Sequence, residues 1–284
     1  MSFLDERADL DGRVAVVVGG GGGLGRACAT DLGRAGMRLA LCDKDAAALA
    51  ETAASISDAG GEVMVGVLDA RDPEALGGFF AEVDAGYDGQ LDVLVNVVGG
   101  TFRQPFEESS PRGWDALIRT NFTWLLHATQ LAISRMDPSG GSIINITSIE
   151  GHRAAPNYAV YAAMKAGVTS LTRTLAVELA PRKIRVNTIA PDYIPTPGLA
   201  SALGGTEQTR ALQHRIATPM GREGTFEDAG GCALFLASNL SSFVTGTTLH
   251  PDGGAIASSG WFNWPDAGYL NHPPPTVLEH LLEP

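Results

Sequence analysis

Residues 13–35, RVAVVVGGGGGLGRACATDLGRA, carry the strongest structural signal in the chain. The apolar run up to Val18 predicts a buried β-strand, and Leu24 to Ala35 predicts a helix. The glycines between them let backbone N–H groups approach an anion closely, and the helix N-terminus adds its positive dipole. A flexible turn is the simpler reading. The position at the first strand-to-helix turn favours a phosphate-binding cradle, spaced Gly-x-x-x-Gly-x-Gly.

The rest of the chain alternates short apolar runs with Ala- and Leu-rich stretches. Strands are predicted at 13–18, 38–42, 63–68, 91–97, 142–146 and 185–189, and helices at 24–35, 46–57, 73–85, 114–136 and 158–179. Continuously apolar strands are typical of a parallel sheet that helices cover on both faces. The alternation predicts an α/β fold with a single doubly wound, Rossmann-type sheet. Residues 191–220, rich in Pro, Gly and Thr, are expected to form a mobile loop over a site.

The composition excludes several classes of function. The formal charge of −12 argues against a nucleic-acid surface and against docking on anionic lipid. The three cysteines show no metal-ligand spacing, the first residues are too polar for a signal peptide, and no apolar run reaches membrane-spanning length. We therefore expect a cytoplasmic protein without a metal that acts on small molecules.

Asp43 ends the second predicted strand, shortly after the glycine cradle. A carboxylate at this position can accept both hydroxyls of an adenosine ribose and repels a 2′-phosphate. It could also serve only as an acid before the next helix. With the cradle in place, Asp43 favours NAD as the cofactor, and Lys44 is the one neighbour that could tolerate NADP.

Tyr161 and Lys165 lie one helical turn apart in the predicted helix 158–179, so they share a face. The chain has only three lysines, and a compact ammonium next to a phenol favours the phenolate. The pair is thus a candidate for general acid/base chemistry. An ordinary helix tyrosine beside a lysine that reaches to solvent is the alternative.

Further motifs follow in order along the chain. They are Asp69-Ala70, Asn96–Gly99, Asn121, Ser148, Pro191–Thr196, Val244–Gly246 and Asp252–Gly254. Each is weak alone. Together with the cradle and the Tyr161/Lys165 pair, they make residues 11–254 resemble the short-chain dehydrogenase/reductase family.

The resemblance implies a role for each matching residue. Ser148 would hydrogen-bond the substrate oxygen, Tyr161 would transfer its proton, and Asn121 would position a relay water. Lys165 would hold the nicotinamide ribose and lower the Tyr161 pKa. Asp69 would contact adenine, and Ile194 and Thr196 would hold the carboxamide. The full set of implied cofactor contacts is Gly19, Gly22, Gly23, Leu24, Gly25, Asp43, Asp69, Ala70, Asn96, Val98, Gly99, Tyr161, Lys165, Pro191, Ile194 and Thr196.

The sequence departs from the family pattern at four positions. Val18 replaces a threonine, Val97 and Val98 replace Asn-Ala, and Asp192 replaces a glycine. None of these removes a reacting group, so they bear on cofactor affinity and substrate shape. The expected reaction is hydride transfer between NAD(H) and a secondary alcohol or ketone. A 3-oxoacyl-thioester reductase using NADPH and a non-catalytic dinucleotide sensor are the alternatives.

Substrate identity rests on weaker signals. Arg103, His152 and Arg153 follow predicted strands at the edge where ligands bind, and could meet a carboxylate or a CoA phosphate. They could equally be solvated loop charges. Phe102 and Tyr193 favour a hydrophobic cyclic or hydroxyacyl substrate.

Residues 255–284 form an extension beyond the expected domain of residues 1–254. The extension contains Trp261, Phe262 and Trp264, whose exposure to water would be unfavourable. Thr276 to Glu279 fits a capping box that opens a short helix. Since the family commonly forms tetramers, we expect a homo-oligomer in which this tail packs on its own domain or on a neighbouring subunit.

Overall fold

A seven-stranded parallel sheet forms the centre of the molecule in the computed structural model, which describes residues 2–195 and 206–282 apart from the side chains of 281 and 282. Its order is β3-β2-β1-β4-β5-β6-β7. The strands are β1 Val14–Val18, β2 Arg38–Asp43, β3 Val63–Val67, β4 Val93–Asn96, β5 Gly141–Ile146, β6 Ile184–Ile189 and β7 Thr248–Leu249. All six predicted strands are confirmed within three residues at each end.

Helices cover both faces of the sheet. They are α1 Phe3–Ala8, α2 Gly23–Arg34, α3 Ala46–Asp58, α4 Pro73–Gly86, α5 Pro111–Ile118, α6 Trp124–Ile133, α7 Ala159–Leu179, α8 Glu207–Ala217, α9 Phe226–Ala237, α10 Ala255–Ser258 and α11 Pro275–Leu282. The residues of β1 alternate between two buried clusters. Val14, Val16 and Val18 belong to one cluster, while Ala15 and Val17 belong to the other. The doubly wound α/β fold is therefore confirmed.

The strand order places a crevice at the carboxyl edge of the sheet. β1 pairs with β2 on one side and with β4 on the other, so the connections leave β1 and β4 towards opposite faces. Ligands of open α/β sheets bind at such a switch point. The glycine turn after β1 and the segment after β4 both lie there.

The predicted helix 114–136 is interrupted, and its predicted length is wrong. A π-helical turn, Arg119–Thr123, separates α5 from α6. The Asn121 side chain donates to the Leu117 carbonyl at 2.9 Å, so that carbonyl is occupied by a side chain. Such a side-chain bond competes with the regular backbone ladder. The turn places Asn121, which is buried, next to the loop after β4.

The segment 191–220 contains helix α8, so the expectation of a continuous loop is wrong for residues 207–217. The hydroxyl of Thr206 caps the helix by accepting from the Thr209 N–H at 3.2 Å. None of the residues of this helix is buried. Its sequence therefore lacks the regular apolar spacing from which a helix could have been predicted. Residues 196–205 lie outside the described part of the chain.

The tail folds as a hairpin followed by a helix. Strands β8 Phe262–Trp264 and β9 Gly268–Leu270 pair antiparallel, and β8 packs against α8 of the same chain. The predicted capping box at Thr276 is wrong, because α11 begins at Pro275, a residue preorganised for the first helical position. Among the described residues, no helix is long and apolar enough to cross a bilayer.

Candidate active site

The glycine turn after β1 has no room for side chains at its closest approaches. Gly19 has a φ of 95°, and its N–H donates to the Cys42 carbonyl at 2.8 Å. A Cβ on Gly25 would lie 1.8 Å from the Gly19 oxygen, and a Cβ on Gly19 would lie 2.9 Å from Cγ2 of Val98. Gly22 has open space around it, at the start of α2. This bare backbone fits a dinucleotide pyrophosphate, as the sequence predicts.

The Asp43 carboxylate closes one side of this cradle. It accepts the Gly21 N–H at 3.0 Å and the Asp45 N–H at 3.1 Å. Arg26, the basic residue after the turn, donates instead to Thr52 and Glu51 on α3. The cradle therefore presents a carboxylate where a ribose would lie, and its nearby arginine is engaged elsewhere.

Asp69 follows β3 and pairs with Arg71 at 2.5 Å. This hydrogen bond holds the pKa of Asp69 at about 2. Ala70 beside it is buried. An adenine at this position would thus meet a carboxylate that already shares its oxygens with a guanidinium.

The residues at and after the end of β4 differ in burial and in what they contact. The Asn96 side chain is wholly buried and donates to Oδ1 of Asn145 at 2.8 Å and to Thr129 at 3.2 Å. It braces β4 against β5, so the cofactor contact that the resemblance implies for Asn96 would have to come from its backbone. Val98 packs on Gly19, and Gly99 is exposed.

Ser148, Tyr161 and Lys165 converge at the end of β5. The Ser148 hydroxyl accepts the Glu150 N–H at 3.2 Å, and Ser148 lies close enough to the Tyr161 hydroxyl to lower its pKa. Nζ of Lys165 lies 5.7 Å from the Tyr161 ring centroid and donates to the Ile146 carbonyl at 3.1 Å. The predicted sharing of one helix face is therefore confirmed for the Tyr161/Lys165 pair.

The protonation of this pair departs from the expectation. Burial raises the Tyr161 pKa, and Ser148, which lowers it, does not compensate. Burial also lowers the pKa of Lys165 to about 8, because only 4% of the residue is exposed. In this structure the expected lowering of the tyrosine pKa is not found, since the loss of solvent and the negative charge of Glu150 both raise it.

Asn121 and Lys165 approach the same glycine. A Cβ on Gly99 would lie 3.1 Å from Oδ1 of Asn121 and 3.1 Å from Nζ of Lys165. The Asn121 side chain exchanges hydrogen bonds with the Gly100 backbone at 3.1 and 2.8 Å. The π-turn thus brings Asn121 into the site with the other three residues.

The segment after β6 forms the remaining wall. Pro191 and Ile194 are buried, and the Pro191 carbonyl accepts the Ile149 N–H at 3.1 Å. This bond holds the segment against the turn that carries Ser148. Thr196 lies outside the described residues.

The sequence is similar to a known protein family over most of its length. The sequence profile described as "Enoyl-(Acyl carrier protein) reductase" matches residues 19–255. The chain belongs to the short-chain dehydrogenase/reductase family. It is 37% identical to 3beta-hydroxysteroid dehydrogenase 1 of Eggerthella lenta, over 89% of this chain and 97% of the relative. It is 35% identical to the 3-oxoacyl-(acyl-carrier-protein) reductase FabG of Thermotoga maritima, over 87% of this chain and 99% of the relative.

A solved structure also resembles this short-chain dehydrogenase/reductase. It is a 7α-hydroxysteroid dehydrogenase complexed with NADH and 7-oxo glycochenodeoxycholic acid. The identity is 31%, the TM-score is 0.83, and the match covers 89% of this chain and 98% of that one. The chain is therefore an oxidoreductase of this family that acts on alcohol or ketone groups with a nicotinamide dinucleotide.

The sequence alone did not show an ion network beside Ser148 in this short-chain dehydrogenase/reductase. Arg153 pairs with Glu150 at 2.7 Å and with Asp192 at 3.4 Å. Spacing along the chain could not reveal it, because Asp192 comes from a different strand end. His152 packs on His250 with ring centroids 4.8 Å apart. Burial lowers the pKa of His152. Neither Arg153 nor His152 therefore offers the free cation that the sequence suggested, while Arg103 is exposed.

A cavity of about 270 Å³ opens beyond Asp192. Its wall includes Tyr193, Glu223, His250 and Asp252, whereas Ser148 and Tyr161 do not line it. Among the described residues, no group of histidines, cysteines and carboxylates is arranged to hold a metal ion.

Proposed function

We propose that this enzyme transfers a hydride between NAD(H) and a secondary alcohol or ketone, with a hydrophobic cyclic or hydroxyacyl substrate. The observation that carries the proposal is the convergence of Ser148, Tyr161, Lys165 and Asn121 beside the glycine cradle. The match to hydroxysteroid dehydrogenases, one of them holding NADH, supports the cofactor and the substrate class.

The residues supply proton transfer and orientation. In the oxidation direction, the Ser148 hydroxyl donates to the substrate oxygen, and Tyr161 takes the alcohol proton as the carbon–oxygen double bond forms. The nicotinamide ring, when bound, accepts the hydride that leaves the carbinol carbon. Ketone reduction reverses both transfers, so Tyr161 is the general acid in that direction.

Lys165 and Asn121 act around this pair. The Lys165 ammonium, held by the Ile146 carbonyl, would donate to the nicotinamide ribose, and its positive charge would act against the burial that raises the Tyr161 pKa. Oδ1 of Asn121 and Nζ of Lys165 both lie beside Gly99. A water between these two atoms could hydrogen-bond both of them. A proton taken by Tyr161 would reach solvent by that route.

The cofactor proposal rests on Asp43. A fixed carboxylate repels a 2′-phosphate, so kcat/KM for NAD⁺ should exceed that for NADP⁺ at least about tenfold. The ratio is measured at the NADH absorbance band with a panel of secondary alcohols. Asp43→Asn should lower the ratio. Asp58→Asn is the control, because Asp58 is an exposed carboxylate at the end of α3, and it should leave the ratio unchanged. Equal use of both cofactors by the wild type would mean that Lys44 compensates for Asp43.

A 3-oxoacyl-thioester reductase is the second candidate. The similarity to the reductase of Thermotoga maritima favours it, since the two chains match over nearly their whole lengths. That reading expects preference for NADPH, which Asp43 opposes. Reduction of an acetoacetyl thioester with NADPH, faster than any alcohol oxidation with NAD⁺, would favour this candidate.

We also propose that the enzyme works in the cytoplasm as a homotetramer or homodimer. Its three cysteines are free, as is usual in a reducing compartment. Trp261 and Tyr269 of the tail are each about half exposed, although β8 packs on α8. We therefore assign these two rings to a contact with a neighbouring subunit.

The tail has a direct test. Deletion of residues 260–284 should lower the melting temperature or the oligomeric mass and raise KM for the alcohol, with little change in NAD⁺ affinity. Trp261→Ser removes only a half-exposed ring and should weaken the oligomer, whereas Phe3→Ser changes an exposed ring at the opposite end of the chain. A truncated protein with unchanged mass, melting temperature and kinetics would contradict the assignment.

A further inference from the structure

Acidic side chains predominate on the surface beside Ser148. This surface, formed by Glu150, Arg153 and Asp192, is called the entrance below. Glu150 touches Ser148 through its backbone N–H, and its charge acts on Tyr161. Arg153 is held by Glu150 and Asp192. Asp252, which is 7% exposed, also acts on both Arg153 and Asp192. Glu150 and Asp192 thus both pair with one guanidinium, and Asp252 adds a third negative charge that acts on Arg153 and Asp192.

Neighbouring residues do not reverse this balance. Burial, followed by the charges of His250 and Arg173, lowers the His152 pKa and so favours the neutral ring. Arg210 and Glu223 both act on Tyr193, with opposite signs. Residues 196–205, TPGLASALGG, contain no charged side chain, so their sequence cannot supply a cation. Arg103, on the loop after β4, and Arg173, whose charge acts on His152, are both exposed and are the candidates for meeting an anion.

The cavity beyond Asp192 extends the acidic surface. Its described wall includes four carboxylates and a single arginine, Arg222; the carboxylates are Asp192, Glu223, Asp228 and Asp252. Arg222 is already paired with Asp228 at 2.7 Å. The far end of a substrate that reached this cavity would meet carboxylates. Arg222 could not easily bind an anionic group there, because it is already paired with Asp228.

We propose that Asp192, by holding Arg153 together with Glu150, makes this entrance reject anionic alcohols and accept neutral or cationic ones. The inference rests on the proposed function and names the substrate class of the same site. Asp192 is a specificity-determining residue in this account, since it touches Arg153 and neither Ser148 nor Tyr161 is among its partners. A carboxylate on the substrate would approach Glu150, Asp192 and Asp252, which share a single guanidinium, and repulsion between like charges would lower its affinity.

The test uses three alcohols of one shape and different charge. They are 1-phenylethanols that carry a 4-methyl, a 4-aminomethyl or a 4-carboxylate group. We expect kcat/KM with NAD⁺ to be at least about tenfold lower for the carboxylate than for the methyl compound, and the difference to shrink at high salt. Affinities for the NADH-saturated protein, measured by calorimetry, should follow the same order.

The variants separate this filter from a general charge effect. Asp192→Asn should reduce the discrimination several-fold, because Arg153 then has one partner fewer, and Glu150→Gln provides a second test if the first variant is unstable. Glu178→Gln removes an exposed carboxylate near the far end of α7 and should keep the wild-type ratio. Arg103→Gln should also keep the wild-type ratio, because the discrimination is assigned to Asp192 and Glu150.

Two results would overturn the proposal. One is equal kcat/KM and affinity for all three alcohols, and the other is a preference for the carboxylate. Either result, obtained with clear NAD⁺ reduction, would leave the proposed function intact. If no alcohol in a wide panel reduced NAD⁺, the proposed function would fail instead, and the calorimetric affinities would still decide the charge preference.

Discussion

Tyr161→Phe is expected to lower kcat by a factor of about 10² to 10⁴ while NADH still binds. The substitution removes the hydroxyl that Ser148 contacts and leaves the glycine cradle and Asp43 untouched. The measurement is steady-state oxidation of the best alcohol of the panel, with NADH affinity read from fluorescence.

Tyr158→Phe provides the matched control, because Tyr158 precedes the same helix. This variant should keep kcat within a few-fold of wild type. Turnover near the wild-type level in Tyr161→Phe would contradict the proton-transfer role, whatever the control shows.

Lys165→Met is expected to lower kcat/KM by a factor on the order of 10² or more and to change the pH dependence of stability. The ammonium is buried, and its pKa is lowered to about 8. The unfolded chain restores the ordinary value near 10.4. Between these pH values the unfolded state binds more protons than the folded state, so the unfolding free energy rises with pH.

This stability effect is measured on the cofactor-free protein by denaturant unfolding at pH 8 and pH 10. Relative to Lys165→Met, the wild type should gain about 2 kcal/mol over this interval. Lys44→Met, which alters an exposed lysine, should follow the wild type. If wild type and Lys165→Met changed in parallel, the burial of an ionisable ammonium would be refuted.

The fold could be predicted from the sequence because its strands are short, apolar and separated by strong helix patterns. The run at β1 is an example, since its alternate residues fill both faces of the core. The interruption at Arg119–Thr123 could not be predicted. It depends on Asn121 bonding Leu117 and Gly100, a contact between chain segments that periodicity does not encode.

The site was predicted in parts. The Tyr161/Lys165 spacing gave the shared face, but not the burial that sets both pKa values, because desolvation depends on everything packed around the pair. Arg153 read as a free cation, whereas the fold brings Asp192 to it from the end of another strand. Asn96 was predicted as a cofactor contact, and the sequence did not show that its side chain lies in the core against Asn145.

The most direct test of the central proposal, hydride transfer from a carbinol to NAD⁺, is isotopic. The best alcohol of the panel is labelled with deuterium at its carbinol carbon and incubated with NAD⁺ and the enzyme in ordinary water. We predict that mass spectrometry finds one deuterium in each NADH formed. NADH without deuterium, or no NADH formed with any secondary alcohol, would contradict the account.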